Sequence, residues 1–292
     1  MTETARLILD SKCQLGEGPI WHPGRQQLFF FDINEETLFA MDAKGEIVDQ
    51  WLFDEPASAA AIVDDDTLVL MTSSGLKGFQ ISTGGIAPLT AIEANNPKTR
   101  SNDCRVHPSG AFWVSTMDAT EDEAAIGALY HYRAGVVTQL KSNLNVSNAT
   151  CFSPDGRTAY WTDTPTKKIM QVATDPETGM PMGEWTVFAD VSEGRGFPDG
   201  AVVDSEGYLW NAKWGGGCVV RHAPDGSIDR IVEVPVSQVT CPAFGGADLK
   251  TLFITTAAKN MSAEQLADEK VAGGLFAIDV DVAGQPEPLI TL

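Results

Sequence analysis

Hydrophobic positions along the chain fall in short runs rich in Val, Ile, Phe, Trp and Thr, separated by tight polar turns built from Pro, Gly, Asp and Ser. Helical spacing is scarce, so the pattern predicts an all-β protein. One phrase recurs: WHPGRQQLFFFD from Trp21, VHPSGAFWVSTMD from Val106, FSPDGRTAYWTDT from Phe152 and VDSEGYLWNAKW from Val203, each reading strand, tight turn, strand. IVDDDTLVLMTS from Ile62 and FGGADLKTLFITT from Phe244 are weaker copies, giving six units 41 to 51 residues apart. That spacing is expected of propeller blades. Each hairpin is followed by a second pair of strands around a polar turn, as in TLFAMDAKGEIVDQW, GALYHYRAGVVTQL and CVVRHAPDGSIDRIV. The prediction is a six-bladed β-propeller with four-stranded antiparallel blades around a central channel.

Two runs are left over, Ala5–Leu9 at the start and Pro288–Ile290 at the end. A closed ring needs its first and last blades joined, and the N-terminal run is expected to complete the last blade. One helix is expected, starting near Ser262 where Ser-Ala-Glu-Gln makes a capping box and stopping before the glycines of VAGGLF, as an insertion in the sixth blade. No linker or charge block divides the chain, so residues 1–292 are read as one domain.

The register singles out a set of residues. Four positions before the apolar residue that precedes each tight turn stand Glu17, Ser58, Asn102, Asn148, Asp199 and Thr240. All are polar, and the position opens the innermost strand of each blade, so they converge at one mouth of the channel. Asn, Asp and Ser favour strand starts in any case. Carboxylates at the same phase facing a narrow channel would repel one another without a cation, however. Glu17, Asn148 and Asp199 together offer hard oxygen donors suited to Ca²⁺, Mg²⁺ or Mn²⁺.

Composition narrows the partners. The chain has 292 residues, 43% of them hydrophobic, enough for a large core. With 20 basic against 40 acidic residues, the formal charge is −20, which disfavours nucleic acid and anionic membrane surfaces. Most of the acid excess reads as a solvated surface. The N-terminus has neither a basic region nor an apolar core of signal-peptide length, and no segment is long enough to span a bilayer, so a cytoplasmic location is expected. Cys13, Cys104, Cys151, Cys218 and Cys241 are scattered, without a C-x-x-C pair, and read as reduced thiols. Without a secretion signal, the sequons at Asn145, Asn148 and Asn260 carry no weight.

The segments LGEGPIW, FFFDI, RSNDCRVHPSGAFWVSTM, GALY, VSNATCFSPDG, FPDGAVVDSEGYLWNAKWGGG and the closing FGG…LFITTA…AGGLF, in this order, resemble the successive signatures of the regucalcin-like gluconolactonase family, also called the senescence-marker-protein family. The resemblance runs from about Leu15 to the last blade. It implies a six-bladed propeller with one divalent metal in its channel and hydrolysis of a small-molecule sugar lactone to the acid. Through the motifs it implies metal ligation by Glu17, Asn148 and Asp199, and substrate contact by Arg100 and Asn102. The family's acidic substrate contact has no clean equivalent among Asp118, Glu121, Asp122 and Glu123, and Glu121 is carried over as the candidate. The family's glycine after the site asparagines is replaced here by Cys104 and Ala149, which adds side chains close to the site. The metal's identity stays open among Ca, Zn, Mg, Mn and Fe.

Lactone opening needs a polarised carbonyl, a water nucleophile and oxyanion stabilisation. Asp199 is the catalytic candidate, either as general base or as the group that orients a water acidified by the metal. Arg100 offers a planar fork of donors for a hydroxyl pair or a carboxylate, the latter implying an aldaro-lactone. The histidines lack ligand spacing, and no G-x-S-x-G elbow or Cys–His pair supports a nucleophilic enzyme. Asp32 and Asp163 read as loop anchors, and Trp113, Trp161 and Trp210 as inter-blade core. The competing readings are a non-catalytic propeller binding calcium or a protein, and a propeller esterase or phosphotriesterase.

Overall fold

A computed structural model describes residues 3–120 and 124–292. Its strands form six sheets around a central axis, a six-bladed β-propeller. The first blade runs outward through Gly16–His22, Gln27–Asp32, Thr37–Asp42 and Ile47–Leu52. The second, fourth and fifth follow the same antiparallel plan, starting from Ala57–Ile62, Ser147–Phe152 and Phe197–Val203. In the third blade the innermost strand is broken into Thr99–Ser101 and Arg105–Val106, both paired with Phe112–Asp118. The sixth blade pairs Val239–Gly245, Thr251–Thr256 and Leu275–Asp279, and its outermost strand is Arg6–Leu9 from the start of the chain. The fifth blade departs from four strands: Glu3–Thr4 adds a short parallel fifth strand beside Ile228–Glu233.

Burial explains the sequence pattern. The second strand of the first blade, QLFFFD, sends Leu28 and Phe30 to the interface with the sixth blade and Phe29 and Phe31 to the interface with the second. A strand covered on both faces reads as an unbroken apolar run. Among the described residues the core divides into six clusters, one at each blade–blade interface. Trp113 and Trp161 sit between the third and fourth blades and Trp210 between the fifth and sixth, each at most 5% exposed. The outermost strand Ile47–Leu52 has one face in water and is largely exposed.

The helix Ala263–Asp268 lies between the second and third strands of the sixth blade. Ser262 accepts from the Gln265 main chain while the Gln265 side chain accepts from Ser262, the reciprocal box that fixes its start. Among the described residues no helix is long and apolar enough to cross a membrane.

The C-terminal segment crosses the lower ends of the inner strands. Gly284 donates to Leu249 O, Gln285 reaches Val203 O and Phe152 O, Glu287 pairs with Arg105, and Ile290 donates to Ile62 O. One strap thus touches the second to sixth blades.

Candidate functional site

At the register position every inner strand is irregular. Pairing slips between Glu17 and Ile20, Ala57 and Ala59, Asn148 and Cys151, Pro198 and Ala201, and Val239 and Pro242, and the third blade breaks altogether around Asn102. A bulge re-aims the side chain that precedes it, and here it sets the side chains around the channel mouth. Gly18 takes φ +54° within the first bulge, and Ala149 takes φ +54° in the fourth, where a side chain is strained.

Glu17, Arg100, Asn102, Asn148 and Asp199 line one cavity of about 390 Å³ at that mouth, with Trp214 and Phe197 among its walls. Glu17 and Asp199 each accept a hydrogen bond from the backbone N–H of the glycine that follows, Gly18 and Gly200. Ser58 and Thr240 share the register but do not line the cavity. Ser58 donates to Asn102 O at 2.6 Å and Thr240 to Gly16 O at 2.6 Å. Asn102 Nδ2 donates to Ser147 O and to Asn148 Oδ1, and Asn148 Nδ2 donates to Thr164 Oγ1, which in turn donates to Pro198 O. The polar ring is therefore partly a belt that ties the second blade to the third, the third to the fourth, the fourth to the fifth and the sixth to the first. Arg100 Nη1 donates to Ser101 O and to Asn102 Oδ1, which fixes the guanidinium at the cavity wall. Glu121 lies outside the described residues.

The electrostatics are those of acids held apart from water. Burial first, then the charge of Asp103, pushes Glu17 up to about 8. Burial, followed by the charges of Glu17 and Asp103, holds Asp199 well above the ordinary carboxylate range. Asp103, raised to about 6 by burial, was missed by the register because it follows Asn102. It accepts from Thr150 N at 2.7 Å, behind the site rather than on the cavity wall. The only hint in the sequence was an acid flanked by residues of a buried motif. Asp32 and Asp163 serve as anchors, accepting from the main chains of Gln14 and Leu15 and of Asn145 and Val146.

The donor chemistry fits a hard cation: two carboxylates, raised first by burial and then by the charges of neighbouring acids, share a cavity with one amide oxygen. The third donor being Asn148, no trio of His, Cys, Asp or Glu side chains converges among the described residues. His22, His107 and His131 instead meet the main chains of Asp64, Gly156 and Thr178 in neighbouring blades.

The ring of six blades and the oxygen-lined pocket at its axis define a propeller with a small-molecule site. Residues 15–258 match the SMP-30/Gluconolactonase/LRE-like region, and the chain belongs to that family. It is 33% identical to the pentonolactonase XacC of Haloferax volcanii, over 97% of each chain. It is 34% identical to a 6-deoxy-6-sulfogluconolactonase of Pseudomonas putida, over 99% of each. The crystal structure of a calcium-binding protein, regucalcin, from Agrobacterium tumefaciens superimposes over 100% of both chains at 35% identity and a TM-score of 0.96.

Proposed function

We propose that this chain is a metal-dependent sugar lactonase that opens an aldono- or aldaro-lactone to the corresponding acid. One observation carries the reading: Glu17, Asn148 and Asp199 share a single cavity with the donors of Arg100. The lactonase names of two relatives support it, and the calcium-binding neighbour supports a divalent cation.

Glu17, Asn148 and Asp199 are the residues that would hold the ion, which when bound supplies a Lewis acid for the lactone carbonyl and its developing oxyanion. Asp199 is the proton acceptor toward the attacking water, or the group that orients it. Arg100 presents its planar guanidinium, from the cavity wall, to ring hydroxyls or a substrate carboxylate. Asn102 has both N–H donors engaged on Ser147 and Asn148, so its part is to hold Asn148 and to share Oδ1 with Arg100 at the substrate's edge. Trp214 and Phe197 supply an apolar wall against the sugar's carbon face.

The test is to strip the protein with chelator, restore Ca²⁺, Mg²⁺, Mn²⁺, Zn²⁺ or Fe²⁺ singly, and follow acid release from five- and six-membered sugar lactones above the spontaneous rate. Metal-restored hydrolysis is expected. If no metal and lactone combination exceeds the blank while a cation still binds, the protein is a binding propeller and the lactonase reading fails.

A further inference from the structure

A second cavity, of about 510 Å³, opens between the fourth and fifth blades, away from the channel. Ala189, Val191, Val220 and Ile231 make its apolar walls. Among its lining residues are Lys213, Cys218 and His222, only 3%, 1% and 1% exposed. Lys213 and Cys218 are direct cross-strand partners, and His222 lies on the same strand and the same face as Cys218.

Two polar groups here are short of partners. Among the described residues the Lys213 ammonium, with three N–H donors, makes one hydrogen bond, to Asn211 Oδ1 at 2.7 Å. A cation buried with so little compensation is costly. The His222 ring meets Gly226 O through Nδ1, while Nε2 is buried without any partner. Burial, and then the charge of Lys213, lowers this imidazole to about 4, so it is neutral and Nε2 is an acceptor when Nδ1 holds the proton. Arg195 also lines the cavity, bound to Glu233 through two contacts near 3 Å. The acids at the mouth are Asp190, turned to Ser192, and Glu193.

We propose that this inter-blade cavity is a second binding site, for a small organic monocarboxylate with an apolar body and a hydroxyl group at its far end. Lys213 takes the carboxylate, the Val191, Val220 and Ile231 walls take the body, and His222 Nε2 accepts from the hydroxyl. The Lys213 ammonium folds back to Asn211, whose strand partner is Val220, two residues from His222. Two residues of strand rise are roughly 7 Å, about the length of one substituted ring. The site shares no lining residue with the channel pocket and does not rest on the activity proposed there, although Lys213 meets Asn211, whose Nδ2 binds the main chain at Asp199.

The test is titration of the full-length protein with 4-hydroxybenzoate and benzoate, by calorimetry and by methyl NMR with Val and Ile labelled. Saturable binding with shifts at Val220 and Ile231 is expected, and benzoate, lacking the hydroxyl, binds several-fold more weakly. Lys213→Met should reduce affinity at least tenfold and Lys213→Arg should restore part of it, while Arg100→Ala in the channel leaves it unchanged. Val220→Trp, which fills the cavity without removing a charge, should abolish binding. No saturable binding, equal affinity in Lys213→Met or Val220→Trp, or loss in Arg100→Ala would overturn the proposal, leaving Lys213 as a brace for Asn211.

Discussion

Asn211 Nδ2 donates to the main-chain carbonyl of Asp199 at 2.8 Å and to that of Gly200 at 3.2 Å. The bulge that turns Asp199 into the channel is thereby tied to the next strand by a side chain that is itself fully buried. Asn211→Leu keeps the volume and removes the tie. The expected loss is roughly 1–3 kcal/mol of stability, the range for leaving buried polar groups unpaired. In the proposed reaction kcat should fall more than KM rises, because the displaced group is Asp199. Denaturant titration read beside the kinetic constants checks this, and a variant unchanged in both would remove Asn211 from the account.

Glu17 and Asp199 are both buried acids on the wall of one cavity, and the charge of Glu17 raises Asp199, so activity and stability should part company there. Asp199→Ala and Glu17→Gln are expected to lose lactone hydrolysis by roughly a hundredfold or more, on the scale of losing a catalytic group. In chelator near neutral pH Glu17→Gln should melt above the unaltered protein, because the amide is neutral without the proton that Glu17 must take up on folding.

The metal-free protein should also respond to pH. The folded protein holds the Glu17 proton up to about 8 against an ordinary value of 4.5, so the fold favours the neutral acid. The stability from this group is fully present below about 4.5 and is lost as pH rises toward 8. Thermal melts in chelator across that window should fall, and saturating cation should flatten the trend. A chelated protein whose melting temperature climbs steadily from 4.5 to 8 would contradict the burial seen for Glu17.

Arg105 and Glu287 form an ion pair at 2.7 Å, with side chains 8% and 14% exposed. Removing one partner strands the other. Glu287→Leu alone should cost about 3–5 kcal/mol, and the double variant Arg105→Met/Glu287→Leu distinctly less. A double-mutant cycle by urea unfolding measures the difference, and simple additivity would mean that the pair does not hold the strap.

Arg100→Ala removes donors from the cavity wall and releases the contact with Asn102. A hydrogen bond from a charged group is worth about 1.5–3 kcal/mol, so KM for the preferred lactone should rise about tenfold to a hundredfold with kcat little changed. Loss confined to kcat would place Arg100 on the reacting atoms instead of on the substrate's hydroxyls.

The blade plan and the phase of Glu17, Asn148 and Asp199 could be read from the chain because both are local. A turn phrase repeats, and the bulge falls at a fixed distance before it in blade after blade. What escaped depends on neighbours far away in sequence. Ser58 and Thr240 occupy the same phase as Glu17 but turn to carbonyls of adjacent blades, a choice made by the packing of those blades. Asp103 was overshadowed by Asn102, since the strand break in the third blade buries both. The parallel pairing of Glu3–Thr4 with the fifth blade and the contacts of Gln285 with Phe152, Glu287 with Arg105 and Ile290 with Ile62 join segments more than 100 residues apart. Periodicity carries no signal for either.

The strap under the ring braces the far side of the channel. Gln285 and Glu287 hold the strand ends opposite those that carry Glu17 and Asp199, so the pocket walled by Trp214 and Phe197 lies at the other mouth. Substrate and product share that pocket, and an acid formed there is expected to act as a competitive inhibitor of its own parent lactone.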